Sequence, residues 1–377
     1  MIYYDIMNTK VSIVKCAAYD TAELYQALKE AAQAAGIPDV AGKRVLLKPN
    51  ILMDAAPEKA ITTHPAFLEA VIRLVREWGA AKILVGDSPG LQGRNFTARV
   101  SGLGDTARKN NTQWVDFTQG KIEVECPQAK VQRRFSLSSV INEVDLIINL
   151  PKLKTHQLMY YTGAIKNMFG LIPSVAKSPY HVRYSTREAF ASMIVDLNLL
   201  EKPVYAFMDA VTAMEGHGPS GGNPREVGLV LASPNFLAMD AVACAIIGYP
   251  AEKIPTNREA LNRKKWLQDF SEIEYPLLKP DDVRIPDFAK IPFKKSRSQL
   301  MDFLVPRSLK KIRENKSTLP EINHTVCVRC GDCIKICASE ALNFSEQGGE
   351  KKVEINSQRC IRCYCCHEVC PAKAIKV

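Results

Sequence analysis

The chain has 377 residues, 46% of them apolar and 24% charged, with 12 cysteines and a formal charge of +10. That mix is ordinary for a globular protein with room for about two domains, and it excludes disordered and collagen-like chains. The best apolar run, 241–247, is stopped by Gly248 and Pro250, far short of the roughly 18 residues a spanning helix needs. At the start, Asp5 stands where a secretory leader has a basic end and an apolar core, so a cytoplasmic setting with reduced thiols is expected.

The predicted elements alternate along the first 270 residues. A short apolar strand at 11–15 precedes a helical pattern of Ala22, Leu24, Leu28, Ala31 and Ala35, which Gly36 and Pro38 end. A strand at 44–47 follows. His64 and Pro65 then open a helix whose stripe, Phe67, Val71, Leu74, Val75 and Trp78, stops at Gly79. Further strands are read at 82–85, 144–149, 204–208 and 227–231, and helices at 187–200 and 236–247. Segments near 113–117, 122–125 and 134–137 suggest a small antiparallel insertion. Apolar strands without strict alternation, joined by helices, predict an α/β fold: an open, mostly parallel sheet flanked by helices and buried on both faces.

The texture changes near residue 276. Five prolines between Pro276 and Pro306 interrupt any long element, and from Lys294 to Lys316 eight basic residues face two acidic ones. The expected organisation is therefore an α/β ligand-binding domain at 1–275, a basic connector at 276–318, and a small C-terminal α+β domain at 319–377.

Nine of the 12 cysteines lie between Cys327 and Cys370. Reduced, clustered thiols point to metal rather than to disulfides. Cys327, Cys330, Cys333 and Cys337 follow C-x2-C-x2-C-x3-C, and Cys360, Cys363, Cys366 and Cys370 repeat it before Pro371. Three cysteines at that spacing curl around one cubane, and the fourth reaches the other cluster. The expected cofactors are two [4Fe–4S] clusters, one held by Cys327, Cys330, Cys333 and Cys370, the other by Cys360, Cys363, Cys366 and Cys337. Zinc sites use separated pairs instead. The run resembles bacterial two-cluster ferredoxins over residues 322–377. It departs from them at Ala338, which replaces the usual proline, and at Cys365, an extra thiol read as a spare, with a ligand role as the alternative. So short a segment has little apolar core, and the clusters are expected to hold it together.

Ligands of open α/β sheets sit at the carboxyl ends of the strands. Those ends carry Lys48 and Asn50, then Gly86, Asp87, Ser88 and Gly90 with Gly93 beyond, then Lys152, Lys154 and His156, then Lys166 and Asn167. The last offers Asp209, Glu215, Gly216 and Gly218. The lysines suit a carboxylate or phosphate, and the glycine loops can present backbone N–H groups to it. His156, Lys154, Asp209 and Glu215 are the candidates for acid–base work, and Lys48, Asn50, Gly86, Asp87, Ser88, Gly90, Lys152, Lys166, Asn167, Gly216 and Gly218 for binding the ligand. Residues 173–187, with Lys177 and His181, read as a lid or a surface loop. The G-x-G-x-x-A at 102–107 lacks the preceding strand a dinucleotide fingerprint needs.

The strings LKPN, TTHP, GDSPG, NLPKLKTH, YTGAIKNMFGLIP, MEGHGPSGG and MDAVACAIIG, in this order, resemble the iron–sulfur protein family built on the domain of unknown function 362, often fused to a two-cluster ferredoxin. The resemblance implies the architecture and the clusters, and no catalytic residue. The leading expectation is an iron–sulfur redox protein, an oxidoreductase or electron-transfer component, exchanging electrons between an external donor or acceptor and an anionic small molecule on the α/β domain. The alternatives are a cofactor- or metabolite-binding or maturation protein whose clusters serve sensing or assembly, and a non-redox isomerase or lyase with a structural ferredoxin end. Nucleic acid is disfavoured, because the basic stretch carries only Phe293 and Phe303 for stacking.

Overall fold

The structure, a computed structural model, describes residues 8–91, 95–200, 202, 204–293, 318–347 and 349–377. The strands of the large domain are β1 (Ser12–Lys15), β2 (Arg44–Pro49), β3 (Lys82–Val85), β4 (Gln113–Trp114), β5 (Lys121–Glu125), β6 (Arg134–Ser138), β7 (Leu146–Leu150), β8 (Lys152–His156), β9 (Tyr160–Thr162), β10 (Val204–Glu215) and β11 (Asn223–Ser233). Nine of them form one sheet in the order β1-β11-β10-β7-β2-β3-β4, with β8 beside β10 and β9 beside β8. The pairs from β10 through β7, β2 and β3 to β4 are parallel, whereas β11 and β1 extend the edge antiparallel.

The sheet is buried on both faces. Along β2, Val45 and Leu47 join one apolar cluster and Leu46 the other. Tyr205 and Phe207 alternate in the same way with Ala206 and Met208 on β10. The first face is covered by α1 (Thr21–Ala35), α2 (Pro65–Glu77) and α3 (Leu103–Lys109). The short helices α4 (Ala164–Asn167) and α5 (Ser178–Arg183), with α6 (Arg187–Leu197), α7 (Phe236–Ile246) and α8 (Pro255–Arg263), lie on the other side. Local caps start the helices where the sequence allows: Asp20 accepts from the Ala22 and Glu23 amides, and His64 Nδ1 accepts from Ala66 ahead of Pro65.

Two expectations are corrected. Of the supposed antiparallel insertion, only β5 and β6 form a hairpin, and β4 is the parallel edge of the main sheet. Residues 276–293 belong to the α/β domain rather than to a connector: Ile285 N–H donates to Ile246, Phe288 is buried, and Ile291 N–H donates to the Tyr249 hydroxyl. The basic run from Lys294 to Lys316 lies outside the described residues, as does Gly93. The helix at 103–109 starts at Gly102 (φ +74°) and packs Gly104 so closely that a Cβ there would overlap Thr97. Its glycines thus serve packing.

The C-terminal unit has β12 (Glu321–Ile322) paired with β15 (Ile375–Lys376), a hairpin of β13 (Leu342–Gln347) and β14 (Glu350–Ile355), and the short helices α9 (Asp332–Ile336) and α10 (Cys365–Glu368). Its buried apolar core is Leu342, Val353 and Ile375 with Cys333 and Cys366. Among the described residues no helix is long and apolar enough to cross a membrane.

Candidate functional site: a cleft against an iron–sulfur unit

The two cysteine runs fold alike. Arg329, Gly331 and Glu340 have positive φ, and so do Arg362, Tyr364 and Lys373, each 33 residues further on. The left-handed turns between the cysteines aim three thiols at one point. In each repeat the fourth cysteine Sγ accepts a backbone N–H from four residues on, Ala341 to Cys337 and Ala374 to Cys370.

The result is two cavities. One, of about 350 Å³ including open space, is lined by Cys327, Cys330, Cys333 and Cys370. The other, of about 340 Å³, is lined by Cys337, Cys360, Cys363 and Cys366, with Cys365 beside them. These are the crossed sets that the spacing predicts, within mostly apolar walls. Among the described residues no donors converge tightly enough to hold a single metal ion. Four thiols around a void fit a cubane and not zinc. The two sites differ in exposure, since Cys330 and Val328 face solvent whereas Cys366 and Tyr364 are buried.

The C-terminal unit docks on the glycine loop after β10. His367 Nε2 lies 3.1 Å from the His217 carbonyl, Lys373 Nζ donates to the Gly222 carbonyl at 3.1 Å, and a Cβ on Gly221 would lie 2.8 Å from the His367 ring. Gly216 and Gly218, expected to cradle an anion, therefore shape a landing surface. Gly216 turns with φ +74°, and a Cβ on Gly218 would overlap the Thr155 backbone.

Between the docked unit and the ends of β2, β3 and β9 lies a cleft of about 680 Å³ including its open mouth. Six sequence-predicted residues line it: Asn50, Asp87, Ser88, Gly90, Lys166 and Asn167. Phe169, Gly170, Lys177 and His181 add to its α/β wall, and Ile336, Cys365, Glu368 and Val369 close it from the iron–sulfur unit. Residues 173–187 are thus a wall built of α5 and its approach.

Lys48 sits behind the cleft, fully buried, 2.8 Å from Asp87 Oδ1, while Asp87 Oδ2 accepts from the Ile51 amide at 2.7 Å. Gly170 must be glycine, because a Cβ would overlap the Asp87 carboxylate and the Lys48 ammonium. Asn50 donates to Asn167 Oδ1 at 2.8 Å, and Asn167 donates to Asn149 Oδ1 at 2.7 Å, so an amide chain fixes the floor. Lys177 donates to the Ser88 carbonyl, and burial pushes it down to about 7, Asp87 opposing and Lys48 reinforcing the shift. Lys166, at the end of α4, makes no hydrogen bond or ion pair among the described residues; burial lowers its pKa and Glu368 opposes that. Asp240 positions α4 by accepting from the Ala164 amide at 2.6 Å and the Ile165 amide at 3.0 Å. His181, 92% buried, stacks on Phe190 at 4.5 Å, and its Nδ1 has no hydrogen-bond partner among the described residues. Burial pushes it down to about 3.

The remaining candidates lie elsewhere. Lys152 and Asp209 form a buried pair at 2.9 Å, completed by the Tyr19 hydroxyl and the His64 amide. This pair ties β8, β10 and α2 together and is outside the cleft. Lys154, pushed down to about 7 by burial, donates to the Ile61 carbonyl. Glu215 accepts from the Ala289 amide, and Gly86 packs under Phe117. His156 is buried behind the cleft wall. Its Nδ1 accepts from the Leu158 amide at 3.1 Å, which leaves the proton on Nε2, 3.3 Å from Glu368 Oε1. The sequence reading missed Glu368 and Cys365 as cleft residues, because their place depends on a docking that no local pattern records.

A family model described as a domain of unknown function (DUF362) matches residues 45–245, and one described as a 4Fe–4S dicluster domain matches residues 326–374. The thylakoid-associated protein sll1697 of Synechocystis is 31% identical over 308 residues, covering 81% of this chain and 93% of that protein. The lactate racemase apoprotein of Thermoanaerobacterium thermosaccharolyticum matches 61% of this chain at 11% identity and a TM-score of 0.41, and a Thermotoga maritima protein matches 56% at 9% and 0.36. The chain spans 55% of each of these two structures. With its family match over residues 45–245, and with a 4Fe–4S-binding unit at its C-terminal end, the chain belongs to the DUF362 family.

Proposed function

We propose that the protein is a redox component that exchanges electrons between an external carrier and a small organic anion held in the cleft. The observation that carries this reading is the position of Cys365, whose side chain lines both the cleft and the cavity of Cys337, Cys360, Cys363 and Cys366. One residue thus borders both the inner cysteine cage and a cleft lined by Lys166 and Lys177 together with Asp87 and Glu368. When bound, the clusters supply one-electron chemistry. Lys166 and Lys177 attract the anion, Phe169 and Val369 exclude water from it, and the amide chain through Asn50 and Asn167 keeps the floor rigid. Cys330 and Val328, exposed at the outer cage, offer an external carrier its approach. A reducing compartment such as the cytoplasm suits eight thiols reserved for iron.

The test uses anaerobically purified holo-protein reduced with dithionite, with mass spectrometry of any small anion that copurifies. Turnover of that anion with reduced viologen as donor, abolished by Cys366→Ser while the anion still binds, is the expected result. Turnover that survives removal of residues 318–377 would overturn it and favour a non-redox enzyme with a structural iron–sulfur end.

A further inference from the structure

The cleft and the inner cysteine cage share a wall, and the cation nearest that wall has no hydrogen bond or ion pair among the described residues, Glu368 acting on it only at longer range. Lys166 lines the cleft at the end of α4, which Asp240 fixes through two backbone amides. The ammonium has no ion-pair partner within reach among the described residues, although Cys365 and Glu368 are its electrostatic neighbours. Lysines 48 and 152 in the same domain are each locked to an aspartate. The unpartnered Nδ1 of His181 also borders the cleft.

From this arrangement we infer that Lys166 couples ligand binding to the redox state of the inner cluster, so that the cleft holds its anion more tightly when that cluster is oxidised. The inference rests on the anionic-ligand reading of the cleft. One-electron reduction takes a [4Fe–4S] centre with four thiolates from a charge of about −2 to about −3. A cation one residue away favours that added charge, and across a wall with little water its effect is far larger than in solvent. An anion seated on Lys166 cancels the cation. The same interaction therefore lowers the potential of the inner cluster and, by thermodynamic reciprocity, weakens the anion's hold after reduction. A tenfold difference in affinity between the two states corresponds to a shift of about 59 mV for one electron. The outer cage of Cys327, Cys330, Cys333 and Cys370 does not share the wall, and its potential stays where it is.

The experiment is an anaerobic redox titration of the full holo-protein at pH 6.5, followed by electron paramagnetic resonance, without and with saturating acetate or inorganic phosphate. Binding of each probe is measured separately by calorimetry. The expected result has three parts. One of the two one-electron steps moves to lower potential with the probe. Lys166→Gln lowers that same step without any probe and removes the probe's effect. Lys166→Arg restores both. If a probe binds and neither step moves, or both move equally, the coupling is overturned while the anion site stands. If neither probe binds to the wild-type protein, the anionic-ligand reading itself falls. Lys166→Gln without probe is a separate check, since an unchanged titration in a variant that retains both clusters would by itself overturn the assignment.

Discussion

Gly170 shows how closely this site is built at the level of single residues. Its missing side chain lets the backbone pass over the buried Lys48–Asp87 pair. Gly170→Ala should separate that pair, and breaking a buried ion pair costs about 3–5 kcal/mol. A urea midpoint within error of wild type would show that the backbone moves aside. The buried lysines also set a pH dependence. Lys154 and Lys177 are pushed down to about 7, whereas an unfolded lysine titrates near about 10.4. Between these values the unfolded chain binds protons that the folded chain does not, so stability rises with pH from about 7 towards 10 and is lost as pH falls through 7. The thermal midpoint of the holo-protein should be higher at pH 9 than at pH 7, and Lys177→Met should flatten that slope; equal midpoints at both pH values in wild type would contradict it.

Among the elements, the glycine loop after β10 is the joint on which the C-terminal unit lands. Gly221→Leu should push His367 away from the His217 carbonyl and loosen α10. Hydrogen exchange of residues 364–369 should rise at least several-fold while that of β2 and β7 is unchanged; equal protection in the two proteins would show that the docking tolerates the side chain. This loop also marks where the sequence was misleading, because closely spaced glycines suit an anion cradle and a docking surface equally well. The strands β2, β3, β7 and β10 were legible, since apolar runs such as Val45, Leu46 and Leu47 cannot be solvated on either face. β8 was not. Lys152, Lys154 and His156 look like a solvated loop, and the partners that make burial of the two lysines tolerable, Tyr19 and Asp209 for Lys152 and the Ile61 carbonyl for Lys154, are distant in sequence. The grouping of the cysteines around two cavities was legible in their spacing. The cleft wall of Ile336, Cys365, Glu368 and Val369 was not, since these residues reach it only through docking.

At the scale of the molecule, the two domains differ in what holds them together. The α/β domain buries a sheet on both faces, whereas the C-terminal unit encloses few apolar side chains around its thiols. Removal of iron with a chelator under reducing conditions should unfold residues 318–377 and leave the sheet intact, seen as loss of exchange protection confined to that unit. Iron should leave in two phases, the outer cage first because Cys330 is exposed. Alkylation after the first phase is expected at Cys327, Cys330, Cys333 and Cys370. A single phase with uniform alkylation would mean that the cages fail together.

The Cys365 wall bears on survival in air as well as on chemistry. Dissolved oxygen that enters an empty cleft stops one side chain short of the inner cage. On the proposed reading of the cleft, a seated anion plugs that route and acts as a stopper. The inner cluster of a protein stored with its ligand should outlast that of a protein stored without it, and a preparation stripped of small molecules is the one most exposed to oxidative damage from within.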